Sequence, residues 1–130
     1  MANDTGAVSS GPRMWLKAEG LAVFLVSSLT YYVFGGPWWL YLVLILAPDL
    51  AMLGYFGGPA LGAKLYNLAH SYVGPIILAI VGAVTASAVV AVALIWCAHI
   101  GMDRMVGYGL EYPTAFGDTH LGAVGNKPGA

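Results

Sequence analysis

The sequence predicts an all-α integral membrane protein: a four-transmembrane-helix bundle running up and down, with both termini in the cytoplasm. Three observations carry that expectation. Hydrophobic residues make up 59% of the 130 positions and charged residues only 8%, against roughly 25% charged in ordinary soluble domains. Four apolar stretches follow one another with short breaks, each near the roughly 20 residues a helix needs to cross a bilayer core. All five Lys and Arg residues fall at one end of the bundle those stretches would form.

The elements are justified in chain order. Residues 1–14 open with MANDTGAVSSGP, small and polar, and predict a disordered tail. They lack the basic start and apolar core of a cleavable signal peptide, so the first apolar segment is expected in the mature protein. That segment, about 18–35, ends at Gly35-Gly36-Pro37. The second, about 38–56, ends at Gly57-Gly58-Pro59. Gly-Gly-Pro is strong punctuation, because glycine loosens the backbone and proline has no N–H to continue a helix. The third runs over about 60–83 and the fourth over about 86–108, with a weaker turn between them. Together they predict a transmembrane domain over 15–110 and a cytoplasmic tail over 111–130.

Charge sets the orientation. Arg13 and Lys17 precede the first helix, Lys64 opens the third, Arg104 closes the fourth and Lys127 is in the tail, while the turns near 36 and 84 carry no charge. Cytoplasmic loops are the ones enriched in Lys and Arg, which puts both termini inside. Trp38 and Trp39 then anchor the outer interface, and Trp15, Tyr55, Phe56, Tyr108 and Tyr112 the inner one. The expected partner is the lipid bilayer, with other membrane subunits or self-association beyond it. A net charge of −1 gives no reason to expect nucleic acid. The single cysteine, Cys97, excludes an intrachain disulfide and reads as a small apolar helix residue.

Against this background the polar residues stand out. Glu19, Asp49, His70, His99 and Asp103 all fall between mid-membrane and the cytoplasmic end. Ionisable groups at such depth are expensive and usually functional. His99 and Asp103 are four apart and share a helix face. Asn67, His70, Ser71 and Gly74 form one stripe on the third helix, and Glu19, Val23, Ser27 and Thr30 a weaker one on the first. Pro48, beside Asp49, is placed to free a backbone carbonyl. Arg104, about 100° round the helix from Asp103, is expected to snorkel to the inner interface.

Imidazoles and carboxylates converging from several helices are the ingredients of a metal site. His70, His99, Asp103, Asp49 and Glu19 are the candidate ligands of a divalent zinc, iron or manganese ion, with Asp49 or Asp103 as the catalytic base toward an activated water. The competing readings are a structural network of ion pairs, a non-catalytic accessory subunit of a larger membrane complex, and a haem held axially by His70 and His99, with Gly74 and Gly101 making room for the ring.

The strings KAEGLAVF, APDLAMLGY, YNLAHSYVGP and ALIWCAHIGMDRMVGYGLEYPTAFGDTHLG together resemble a bacterial membrane family known as domain of unknown function 4260, over about residues 15–122. The resemblance implies a small four-helix protein of the bacterial inner membrane and no particular chemistry. It adds Asp118 and His120, in GDTHLG just beyond the last helix, as further candidate ligands. As a set of site residues only, the Asp and His pattern is also similar to bacterial inner-membrane proteins described as metal-dependent hydrolases.

Overall fold

The computed structural model describes residues 8, 10–114 and 116–123. The rest of the two expected tails, Lys127 included, lies outside the described residues. The order of elements is α1 (Ser10–Val33), α2 (Trp38–Leu44), a 3-10 helix (Ala47–Gly57), α3 (Pro59–His70), α4 (Val73–Thr85), α5 (Ser87–Val106) and a two-stranded hairpin of β1 (Asp118–Thr119) and β2 (Gly122–Ala123). Among the described residues the fold is therefore all-helical apart from that hairpin. Helix α1 begins at Ser10, so residues 10–14 extend a helix where a tail was expected.

Two of the four apolar stretches are broken, each at a proline. In the second, Pro48 has no N–H, and the Asp49 amide bonds the Leu46 carbonyl at 3.1 Å in 3-10 fashion. The Ile45 carbonyl is thereby left without its helical donor. In the third, the ring of Pro75 cannot sit over the carbonyl four residues back, at Ser71. The chain turns extended at Ser71 (ψ 153°), and α3 and α4 are bent by 41°. That break withdraws the amides that would have capped the Ala69 and His70 carbonyls.

Among the described residues, two helical stretches are long and apolar enough to cross a membrane, Trp38–Gly57 and Ser87–Val106; the bent pair Pro59–His70 with Val73–Thr85 makes a third if it acts as one span. Helix α1 is not among them, since Arg13, Lys17 and Glu19 all lie in its first half. Its second half nevertheless exposes Val26, Leu29 and Val33. The distribution is inside-out relative to a soluble bundle. Outer faces are apolar, while His70, His99, Asp103, Arg104, Glu111 and Thr119 are buried.

Helix α5 is the central element. It packs most extensively on α1 and then on α4, while α3 packs on the 3-10 helix. The α1–α5 seam is set by two glycines facing each other: a Cβ on Gly20 would meet the Gly101 carbonyl oxygen at 2.7 Å, and one on Gly101 would meet the Gly20 carbonyl oxygen at 2.7 Å. Small residues of this kind let helix backbones approach closely, because no side chain stands between them.

The segment after α5 is folded rather than a loose tail. Gly107, in the left-handed region (φ 97°), ends the helix as its amide bonds Arg104 O, while Tyr108 N bonds Asp103 O. Asn67 of α3 then holds Glu111 at two points, Nδ2 donating to Glu111 O at 2.8 Å and Oδ1 accepting from Glu111 N at 2.7 Å. Arg13 Nε donates to Leu121 O at 2.6 Å, and Leu121 is fully buried.

The glycine seam is open to test. Gly101→Leu should overpack it and lower the thermal stability of purified protein by an amount corresponding to about 1–3 kcal/mol. Gly11→Ala, whose added methyl meets nothing within 4 Å, should leave the melt unchanged.

Candidate metal centre

Four of the expected ligands meet. Asp49 comes from the 3-10 helix, His70 from the last turn of α3, and His99 and Asp103 from one face of α5; they form a group whose donor atoms all lie within 4.8 Å of one another and can hold a metal ion. The separations are more specific than that. His70 Nε2 and His99 Nε2 are 3.1 Å apart. His70 Nε2 is 3.2 Å from Asp49 Oδ1 and 3.4 Å from Asp103 Oδ2. His99 Nε2 is 3.2 Å from each of the same two oxygens. Five of the six edges of a four-donor figure are thus 3.1–3.4 Å. A tetrahedron around an ion with bonds of about 2.0–2.2 Å has edges of about 3.3–3.6 Å.

The tautomers follow from the partners. His70 Nδ1 bonds the Tyr66 carbonyl at 2.9 Å, and His99 Nδ1 bonds the Ile45 carbonyl. A carbonyl only accepts, so each Nδ1 carries the hydrogen. In the neutral imidazoles both Nε2 atoms are then bare lone pairs, aimed at each other and at two carboxylate oxygens. Four lone-pair atoms at this spacing require a positive charge among them. Holding the ring through its other nitrogen is also how metal-ligating histidines are usually oriented.

The helix breaks supply those outer partners. The Ile45 carbonyl, freed by Pro48, takes His99 Nδ1. At the α3–α4 break, Trp96 Nε1 donates to Ala69 O and Arg104 Nη2 donates to His70 O at 2.6 Å. The Tyr66 ring stacks on the His70 imidazole, centroids 3.8 Å apart and nearly parallel. Ring, backbone and far nitrogen of His70 are therefore all fixed.

Arg104 corrects an expectation. It does not snorkel outward: it is buried, and its Nη1 also donates to Tyr108 O at 2.9 Å. The carbonyl left open at the α3–α4 break outcompetes the interface, because a charged donor on an orphaned carbonyl is a strong hydrogen bond. The i+1 spacing from Asp103 gave no hint of this, since the acceptor is created by a break in another helix.

The other three candidates are not in the group. Glu19 is exposed on α1, beside the glycine that packs on α5. Asp118 accepts from Thr114 Oγ1 at 2.8 Å through its Oδ2. His120 accepts the Leu110 amide on Nδ1 at 2.9 Å, and its pKa is lowered, first by burial and then by the Arg104 charge. Both residues are kept from the centre by the hairpin they help to build. Sequence reading missed Trp96 and the Asn67–Glu111 clamp; the signal for Asn67 was its place one turn before His70 in the polar stripe.

Asp49 differs from its neighbours. Its side chain is 40% exposed, whereas those of His70, His99 and Asp103 are 0%, 1% and 9% exposed. The open side of the group is the side of Asp49. An apolar cleft of about 200 Å³, lined by Leu44, Ala47, Pro48, Ala69, Val92, Ile95 and Trp96, lies among the same three elements and the end of α2.

Replacing Pro48 tests the freed carbonyl. Pro48→Ala restores an N–H and lets the chain return to α-helical pairing, in which Asp49 N competes with His99 for the Ile45 carbonyl. Metal affinity, measured by chelator competition, should fall about 10–100-fold, the usual effect of losing an outer-shell partner. An unchanged affinity would show that the carbonyl does not orient His99.

Comparison with known proteins adds one relationship. No curated protein and no solved structure matches the chain. A family model described as Domain of unknown function (DUF4260) matches residues 13–124, from the first turn of α1 through the hairpin. The protein therefore belongs to the DUF4260 family.

Proposed function

We propose that this protein is a bacterial inner-membrane metalloenzyme, a metal-dependent hydrolase whose zinc centre lies inside the bundle toward the cytoplasmic side. The observation that carries this reading is the set of four donors at tetrahedral spacing with both Nδ1 hydrogens already committed to carbonyls. Zinc suits that geometry and donor set best, with iron and manganese as alternatives. Haem is disfavoured. Two axial nitrogens with bonds of about 2.0 Å sit about 4 Å apart, whereas these are 3.1 Å apart with two carboxylates around them.

In this reading His70, His99 and Asp103 are the ligands. All three are buried, and they are carried by two helices locked together through Arg104 and Trp96. Three protein ligands leave the fourth position that a catalytic site needs. Asp49, more exposed and on a less regular helix, would be the residue beside that open position and would act as general base toward a water there. A bound dication supplies Lewis acidity and makes that water acidic enough to give up its proton near neutral pH. Two carboxylates and two neutral imidazoles around a dication are electrically neutral as a set, which low-dielectric surroundings favour.

Elemental analysis of detergent-purified protein, before and after zinc loading, tests the centre. About one metal per chain is expected. His99→Ala should abolish it. Asp49→Asn should keep the metal and lose hydrolysis. If Asp49→Asn loses the metal as completely as His99→Ala does, the site is a closed structural one and the catalytic reading fails. If wild-type protein neither carries nor takes up zinc, iron or manganese, the cluster is a proton-sharing network and the metal reading fails.

The four-span arrangement with both termini inside belongs to the same proposal. It is supported by the apolar exposed faces of α1, α2 and α4, by the exposed Trp38 and Trp39 near one end and by Trp15, Phe56 and Tyr108 near the other. A reporter fused after Ala130 should behave as cytoplasmic, and one inserted between Gly35 and Pro37 as periplasmic. Opposite results would remove the orientation on which the depth of the centre rests.

A further inference from the structure

We propose that the apolar cleft beside the centre is the seat of the substrate's hydrocarbon tail, which makes the substrate a single-chain acyl amphiphile: an ester or amide of an aliphatic acid with a small polar alcohol or amine. This rests on the hydrolytic reading above and adds its substrate class.

Three observations converge. The first is lining: all seven residues around the cleft are apolar. Ile95 forms a buried floor, while Leu44, Ala47, Pro48, Ala69, Val92 and Trp96 are half-buried and leave it open to the surroundings. Within a membrane span those surroundings are hydrocarbon, so a chain enters without crossing water.

The second is continuity with the centre. Val92, Ile95 and Trp96 lie seven, four and three residues before His99, on the ligand-bearing face of α5. At 1.5 Å per residue the cleft runs about 5–10 Å along the helix from the imidazole. On the other walls, Pro48 adjoins Asp49 and Ala69 adjoins His70. Each element that contributes a ligand also contributes a wall.

The third is direction. The cleft extends from the centre toward the middle of α5, and in the proposed orientation that is toward the bilayer midplane. An inner-leaflet amphiphile lies this way, its polar head nearer the cytoplasm and its tail toward the midplane. The carbonyl between them then falls at the level of Asp49 and the two histidines. Because tails in lipid are already out of water, the cleft selects by shape and places the carbonyl rather than adding hydrophobic affinity.

The reaction balances without a further reagent. Water gives its oxygen to the acyl carbon and a proton to Asp49. The bond from that carbon to the alcohol oxygen or amine nitrogen breaks, and the proton passes from Asp49 to the leaving atom. The products are an aliphatic carboxylic acid and an alcohol or amine.

The test uses zinc-loaded protein in nanodiscs, with two metal-chelating probes: acetohydroxamate, which has no tail, and dodecanohydroxamate, which has one. Val92→Trp fills the cleft two turns from the ligands, and Leu44→Phe fills it from another element. Both variants should keep their zinc and bind acetohydroxamate as wild type does, but bind dodecanohydroxamate at least tenfold more weakly than wild type in the same discs. Equal dodecanohydroxamate affinity in wild type and in a folded, zinc-bearing variant would overturn the proposal. If neither probe binds zinc-loaded wild type, the hydrolytic centre fails and the cleft is read separately, on metal-free protein with diazirine-bearing dodecanoic acid. Cross-links concentrated at Val92, Ile95 and Trp96 and lost in Val92→Trp support the tail site. Labelling spread evenly over Val26, Leu29 and Ile80 overturns it.

Discussion

The centre depends on one constraint: a backbone carbonyl released inside an apolar, buried helical segment must find another donor. Pro48 and Pro75 release three such carbonyls, at Ile45, Ala69 and His70, and each is claimed by a side chain of α5. His99, Trp96 and Arg104 are thereby fixed to two other elements at once. Breaking the helices locally is what ties the bundle together around the donors. An unbroken second or third span would satisfy its own carbonyls and leave His99 Nδ1 and the Arg104 guanidinium without these acceptors.

The same constraint explains why α5 is central. It brings two ligands four residues apart, and it brings the three side chains that occupy the freed carbonyls. Its opposite side is committed to α1 through the Gly20–Gly101 contact, where no side chain fits. One helix therefore has its face toward the centre and its face toward α1 set by independent contacts. Gly107 ends it, and the clamp between Asn67 and Glu111 returns the following chain to α3, one turn before His70. The hairpin thus braces the helix that carries the first histidine.

The cluster itself was legible in the sequence because position within an apolar stretch and helical periodicity are properties of the chain alone. Counted along the four apolar stretches, Asp49, His70, His99 and Asp103 all fall in the half expected to face one end of the bundle, and His99 and Asp103 share a helix face whatever the rest of the fold does; the structure brings all four together. The partial helices were less legible. An apolar run of about 20 residues reads the same whether it is one helix or a helix followed by a 3-10 segment, as over 38–57. Pro48 was recognised as loosening its helix, but the bend between α3 and α4 was not, because Pro75 lies in what reads as the middle of a span. Arg104 was misjudged for a related reason: snorkelling compares the side chain with the interface, and the winning acceptor was a carbonyl of another helix. Glu19 was placed by depth and by a weak stripe with Val23, Ser27 and Thr30, and its neighbour Gly20 decides the matter by taking the face toward α5.

What separates a metal centre from a hydrogen-bonded cluster here is the number of lone pairs that need a partner. With both Nδ1 hydrogens committed, the two Nε2 atoms face each other at 3.1 Å. That separation accommodates one proton between them, since two N–H groups pointed at each other would repel. One proton bridges one pair of donors and leaves the others turned on one another. A single dication placed among the four satisfies all of them at once, at the edge lengths found. The arrangement is also lopsided in a useful sense. Three donors are buried and held through rigid outer contacts, and the fourth, Asp49, is exposed and sits where Pro48 has already loosened the helix. That asymmetry fits the proposed catalytic reading, in which three buried donors hold the ion and the fourth carboxylate has to make room for water.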